Sequence, residues 1–209
     1  RVQALAKERA ALHRVATLVA RAAPPEQIFA AVAEEAARLL ELPRIEVVRF
    51  GPGESGTVIG ASGDHPFPVG TSWSFDGPSI MSSVFHTGRV ARIDDYSRLP
   101  GTIADLARRA GFVSAIGTPI MVDGRTWGTI IAISASPEPA PIPEGAEARL
   151  NLFTELIATA VSNLQAHDDL SGLADEQAAL RRVATLVAEG MDSAEVFDAV
   201  CAETGELLG

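Results

Sequence analysis

Apolar positions recur every three to four residues over 5–20, where Leu5, Leu12, Val15, Leu18 and Val19 share one helical face. Pro24-Pro25 punctuate the pattern. Pro25 suits the start of a second helix, because its missing N–H falls where a helix leaves donors unpaired anyway. That helix is predicted to run to Leu42, with Ile28, Phe29, Val32, Ala36 and Leu39 inward. The period then changes. Residues 45–50 are β-branched enough for a strand, Gly51-Pro52-Gly53 turns, and a second strand follows over 57–61. Residues 63–70 show no period and read as loop. A short strand around 72–75 ends at Asp76-Gly77-Pro78-Ser79, where Asp76 or Ser79 can cap a helix running to Thr87, with Gly88 as its stop. A strand at 90–93 and a short helix at 103–110 follow. The clearest hairpin joins 113–122 to 126–134 through Asp123-Gly124, a pair suited to a type I′ turn. Pro119 in its first arm implies a bulge or a sheet edge there. The Pro-rich tract 136–143 reads as a stiff, exposed connector. The last long helix, 144–166, sets Leu150, Phe153, Ile157, Val161 and Leu164 at helical spacing, and the pattern extends through Leu170, Leu173, Leu180 and Val187 with Gly172 as its weak point. Mostly antiparallel strands with flanking helices make the fold class α+β.

One stretch of this pattern occurs twice. Residues 8–40 and 176–208 align without gaps at an offset of 168, with 17 of 33 positions identical. Within them the block from Arg14 to Ala20 recurs unbroken from Arg182 to Ala188, which shared helical composition alone does not produce. A period of 168 is too long for a solenoid unit and right for a whole domain. The expectation is one complete domain, 1–168, and then a linker helix with the first two helices of a truncated second copy, 169–209. A first residue of Arg1 and a last of Gly209, directly after an apolar helical pattern, lead to the expectation of a piece of a longer protein.

Composition narrows the function classes. A formal charge of −10 argues against nucleic acid as a partner. No apolar run reaches the roughly 18 residues that a transmembrane helix needs. A single cysteine, Cys201, allows no internal disulfide, and a cytoplasmic location is expected. Aromatics at 5% leave aliphatic side chains to fill most of the core.

At the hairpin and the closing helix the chain resembles the GAF domain family. The residues that carry this are Ser114-Ala115-Ile116-Gly117-Thr118-Pro119-Ile120 with Gly124 and Trp127-Gly128-Thr129-Ile130-Ile131, and the stretch from Phe153 to Asn163. Gly88-Arg89-Val90-Ala91-Arg92-Ile93-Asp94-Asp95-Tyr96 also resembles the family's strand before its variable loop. The resemblance covers residues 9–165. It implies a GAF/PAS-like sheet of about six antiparallel strands, terminal helices on one face, a small-molecule pocket on the other, and homodimerisation through the terminal helices. It is most similar to GAF sensory modules of actinobacterial sensor histidine kinases. The implied role is a sensory input domain of a two-component system; the alternatives are a ligandless dimerisation spacer or a small enzyme of this fold.

The pocket candidates each carry an ordinary reading beside the functional one. Trp73 and Phe75 would bury ligand surface at the rim, or simply pack in the core. Ser79 opens a helix whose free N–H groups could hold an anion, or is a plain cap, with Asp76 competing against an anion in either case. His86 could ligate haem iron or titrate as a sensor, or be a solvated or core histidine; His65, in the loop, is the weaker of the two. Arg92, Asp94 and Tyr96 alternate along one expected strand and form the preferred polar constellation, or a surface pair with a half-buried Tyr. Phe112 and Thr118 complete the set. No cofactor is predicted, and haem stays an open alternative. Cys201 lies in the second copy, so a covalent bilin is excluded for the complete domain. The motif of the family's cyclic-nucleotide binders is absent, as are the cysteines of its sulfoxide reductases, zinc-ligand spacing and a phosphate loop. His167-Asp168 resembles a phosphoacceptor start, but another sensor copy follows it. No catalytic or metal-binding residue is expected. The apolar face of the second copy (Leu180, Val183, Leu186, Val187, Val196, Phe197) needs a partner, which again predicts a dimer.

Overall fold

Two amphipathic helices open the chain, α1 (Val2–Ala20) and α2 (Pro25–Leu40). Pro25 stands in the first turn of α2, and Glu41 ends that helix in the left-handed conformation, φ 55°. Strands β1 (Arg44–Gly51), β2 (Ser55–Ala61) and β3 (Ser72–Ser74) follow, then α3 (Ile80–Thr87), β4 (Ala91–Ile93), a 3₁₀ turn (Tyr96–Arg98), α4 (Thr102–Arg109), the hairpin β5 (Phe112–Val122) and β6 (Arg125–Ala135), and α5 (Ala146–Ala188). This computed structural model describes residues 2–135, 140–188 and 200–201. The chain divides into two compact units, Arg1–Ser162 and Asn163–Gly209, and among the described residues every strand lies in the first.

The strands form one antiparallel six-stranded sheet in the order β3-β2-β1-β6-β5-β4. Its centre, β1 and β6, is covered on both faces, which is why consecutive residues are buried over 45–48 in β1 and 128–135 in β6. Ile45, Val47, Ile116, Ile120, Ile130 and Ala132 meet the terminal helices through Val15, Val32, Leu150, Phe153 and Ile157. Val48, Val58, Ala115, Ile131 and Ile133 meet α3, the 3₁₀ turn and α4 on the other face. Asp123 (φ 49°) and Gly124 (φ 75°) are both left-handed, as a type I′ hairpin turn requires. Pro119 pairs in register with Thr129, and β4 covers only Ala115–Gly117 of β5, so the proline sits where that strand has a free edge and needs no N–H.

Three expectations need correction. Ile142 is buried against the helix-side core, so the Pro-rich tract is not exposed throughout; residues 136–139 lie outside those described. Leu5 is exposed at 56%, and Ala11 takes the inward place beside Val15. Strand β4 ends at Ile93, so Arg92, Asp94 and Tyr96 do not alternate along it; Tyr96 belongs to the 3₁₀ turn. Gly172 does not interrupt α5, since its cost of about 1 kcal/mol is small against a 43-residue helix. Of the second-copy face, Leu180 is exposed, while Val196 and Phe197 lie outside the described residues.

Candidate functional site

The two faces of the sheet are roofed in different ways. One carries long helices. The other carries short pieces fastened by local hydrogen bonds. Ser79 caps α3, and a reciprocal box with Ser82 pairs two amides that the helix start would leave free. Gly88 closes the same helix in the left-handed conformation. Arg108 on α4 donates to the carbonyls of Tyr96 (3.0 Å) and Leu99 (2.6 Å), which pins the 3₁₀ turn to α4. Asp76 accepts from Thr102 at 2.7 Å, tying the approach to α3 to the start of α4.

Beneath this roof lies a nest of rings. Phe67 makes edge contacts with Trp73 (5.0 Å between centroids) and Phe112 (5.7 Å), and Tyr96 meets Phe112 at 6.2 Å. Phe50, Phe75 and Phe85 form a second edge-packed group at 5.3–5.6 Å. Burial, and next the charge of Glu46, push the Tyr96 phenol well above its ordinary pKa, so its hydroxyl stays neutral.

A carboxyl group sits in this nest. Glu46 is on central strand β1, opposite Ile131 of the same face, and only 4% exposed. Its Oε1 lies 3.0 Å from Nε2 of His65, whose side chain is equally buried. The alignment is poor, and both atoms are buried without a well-directed hydrogen bond. His65 Nδ1 accepts the Phe67 N–H at 3.2 Å, which leaves Nε2 as the N–H edge of the ring, on the side of the acid. Sequence reasoning passed over Glu46 and ranked His65 low. The available signal was an acid flanked by Ile45 and Val47 near the start of a β-branched strand.

The candidates scatter around this nest. Trp73, Phe75, Tyr96 and Phe112 belong to it. Ser79 is buried at its margin as the α3 cap. His86 is on the outer side of α3: Nδ1–H donates to the Ser82 carbonyl at 2.7 Å and Nε2 lies 3.3 Å from Glu54. The Ser82 bond first, and Glu54 after it, raise the His86 pKa. Arg92 donates to Asp94 at 2.6 Å as an exposed pair. Thr118 shares its side of β5 with Ile116 and Ile120, so it faces the terminal helices; its hydroxyl is buried without a hydrogen-bond partner. On that side Glu35 of α2 accepts from Arg14 of α1 (Nε, 2.6 Å) and from Arg38, and Arg14 first, then Arg38, hold its pKa below the usual range. Among the described residues no cluster of His, Cys, Asp and Glu could hold a metal ion, and no helix is long and apolar enough to cross a membrane.

The profile of the family described as GAF domain matches residues 24–161. Among solved structures, the chain is similar to the phycoerythrobilin-bound GAF domain from a cyanobacterial phytochrome, at 18% identity over 78% of this chain and 98% of that one, TM-score 0.65. It is similar to the GAF domain from Acinetobacter phosphoenolpyruvate-protein phosphotransferase at 13% identity over 78% and 97%, TM-score 0.62. The Stigmatella aurantiaca phytochrome photosensory core module aligns with 97% of this chain and 46% of its own, at 14% identity and TM-score 0.71. These likenesses establish the fold. No curated protein matches the sequence.

Proposed function

The chain belongs to the GAF domain family, and from that premise we propose that it is a sensory input module which binds a small organic ligand on the α3/α4 face of its sheet. The observation that carries this reading is the buried Glu46 carboxyl, without a well-directed hydrogen bond, beneath a roof of short helices and a loop. Occupancy would be relayed through the terminal helices that cover the opposite face. A ligand can do so only by its unequal affinity for two arrangements of those helices. The parent is a cytoplasmic signalling protein, a sensor histidine kinase of the actinobacterial kind, in which 1–168 form one GAF domain and 169–209 begin a second. Leu170, Leu173 and Leu180, exposed on α5, suit pairing with the same helix of a second copy. The fragment itself performs no catalysis.

The solved neighbours with bilins guide the position of the site and not its content. Cys201 lies outside residues 24–161, so covalent bilin attachment is not part of this reading. Haem is disfavoured, since His86 is exposed and engaged by Ser82 and Glu54. A ligandless spacer is the second reading, and the close packing of Val48, Val58 and Ala115, each 0% exposed on the ligand face, favours it. Native mass spectrometry of the freshly purified chain separates the two. A dimer mass, with a retained small molecule or a thermal shift in a metabolite pool, supports the sensor. A dimer without either supports the spacer, and a monodisperse monomer removes the dimeric relay.

A further inference from the structure

Loop 62–71 is fastened at its two ends. The Ser62 amide donates to the Ile45 carbonyl at 3.0 Å, its hydroxyl accepts from the Ile45 amide at 2.9 Å, and the Gly70 amide donates to the Val58 carbonyl at 2.8 Å. Between these anchors Asp64, Pro66, Pro68 and Val69 are exposed, and His65 and Phe67 dip into the ring nest. Gly63 (φ +64°) and Gly70 (φ +95°) flank the dipping segment, both in the region where a side chain would be strained. The loop thus has the anatomy of a plug on two glycine pivots, and the plug tip is an imidazole.

The tip fills the site with a definite chemistry. Its flat ring stands 6.1 Å from both Phe67 and Phe112, and its N–H edge approaches the Glu46 carboxyl at 3.0 Å. A buried carboxyl on a central strand costs stability unless a donor meets it, and this donor meets it badly. A better-directed N–H from a free molecule would improve the contact. An anion would be opposed by the acid, and an aliphatic amine would forgo the aromatic walls.

Resting on the ligand-binding reading above, we propose that His65 is an internal stand-in for the ligand. The site takes a planar nitrogen heterocycle that presents an N–H edge to Glu46, and the heterocycle enters as loop 62–71 swings out about Gly63 and Gly70. Binding and loop release are therefore one event.

Deleting the stand-in tests this directly. His65→Ala removes little more than an imidazole ring and leaves its space beside Glu46. Free imidazole is expected to raise the Tm of this variant saturably, and thiazole, a similar ring without N–H, to bind about tenfold more weakly. Adding Glu46→Met should weaken imidazole by about tenfold or more. In the unmodified chain, 2-aminobenzimidazole should bind and speed hydrogen exchange at residues 64–69. The proposal is overturned by a folded His65→Ala variant that takes up no imidazole, that takes up thiazole as well as imidazole, or whose imidazole affinity survives Glu46→Met. If His65→Ala does not fold, the unmodified chain decides: no saturable uptake of 2-aminobenzimidazole, or uptake with unchanged loop exchange, overturns it. A different molecule that binds this face without Glu46 and without moving the loop removes this proposal and leaves the sensory reading standing. A metabolite pool that binds nowhere removes the sensory reading.

Discussion

Helix α3 rests directly on Gly117 of β5, and a single added methyl there tests how tightly that roof is seated. A Cβ at this position would stand 2.2 Å from Cγ2 of Ile80 and 3.2 Å from Oγ1 of Thr129. Non-bonded carbons need about 3.5 Å, so Gly117→Ala requires Ile80 to retreat by about 1.3 Å. Ile80 is the first residue of α3, 2% exposed, directly after the Ser79 cap, so it cannot swing into solvent. The helix must lift instead. Overpacking of this kind costs about 1–3 kcal/mol, and at about 3 °C per kcal/mol for a domain of this size the Tm falls by about 3–9 °C. The assay is a double-mutant cycle with Ile80→Ala, which leaves the new methyl room. The double variant should lose clearly less than the sum of the two single losses, by about 1 kcal/mol or more. Hydrogen exchange at α3 amides should rise in Gly117→Ala and recover in the double variant. Losses that add within about 0.5 kcal/mol, or α3 exchange that does not change, would refute the close seating of α3.

Two other fastenings give measurable outcomes. Glu35, buried and hydrogen-bonded to Arg14 and Arg38, has a folded pKa below its ordinary 4.5. Its contribution is therefore fully present above about pH 4.5 and lost as pH falls through the folded value. Glu35→Gln should destabilise by about 1–2 kcal/mol at pH 7, the low end because both guanidiniums reach water, and chemical denaturation should show the gap closing as the pH falls through the folded value. Ser79→Ala removes the α3 cap and should cost about 1 kcal/mol, with faster exchange at the Ser82 amide; equal exchange in both proteins would mean that the capping box does not hold that helix end.

The order of elements was legible in the sequence because each rests on a local cause. Apolar spacing of three to four marks α1, α2 and α5; Ser79 and Gly88 bracket α3; Asp123-Gly124 makes the hairpin. The repeat, too, is a property of sequence alone. Strands β1, β2, β5 and β6 extend one or two residues beyond their predicted ends, since ladders run as far as a neighbour offers partners, whereas the edge strands β3 and β4 are one residue shorter than predicted. The candidate site was only partly legible. Trp73, Phe75, Tyr96 and Phe112 converge because bulky rings on this face have one core to fill. Thr118 was assigned to the wrong face in effect, because which side of β5 its alternation serves depends on how β5 pairs and which helices arrive. Arg92 and Asp94 were expected to share a strand with Tyr96, yet β4 stops first.

Glu46 and His65 show the division most sharply. They are 19 positions apart, one in the first predicted strand and one in a loop without period. Sequence by itself determined that an acid interrupts an apolar run and that glycines flank a histidine. Only tertiary structure decided that the two meet. Burial and direction are properties of the packed sheet and its roof, and no local preference encodes where a loop's side chain comes to rest.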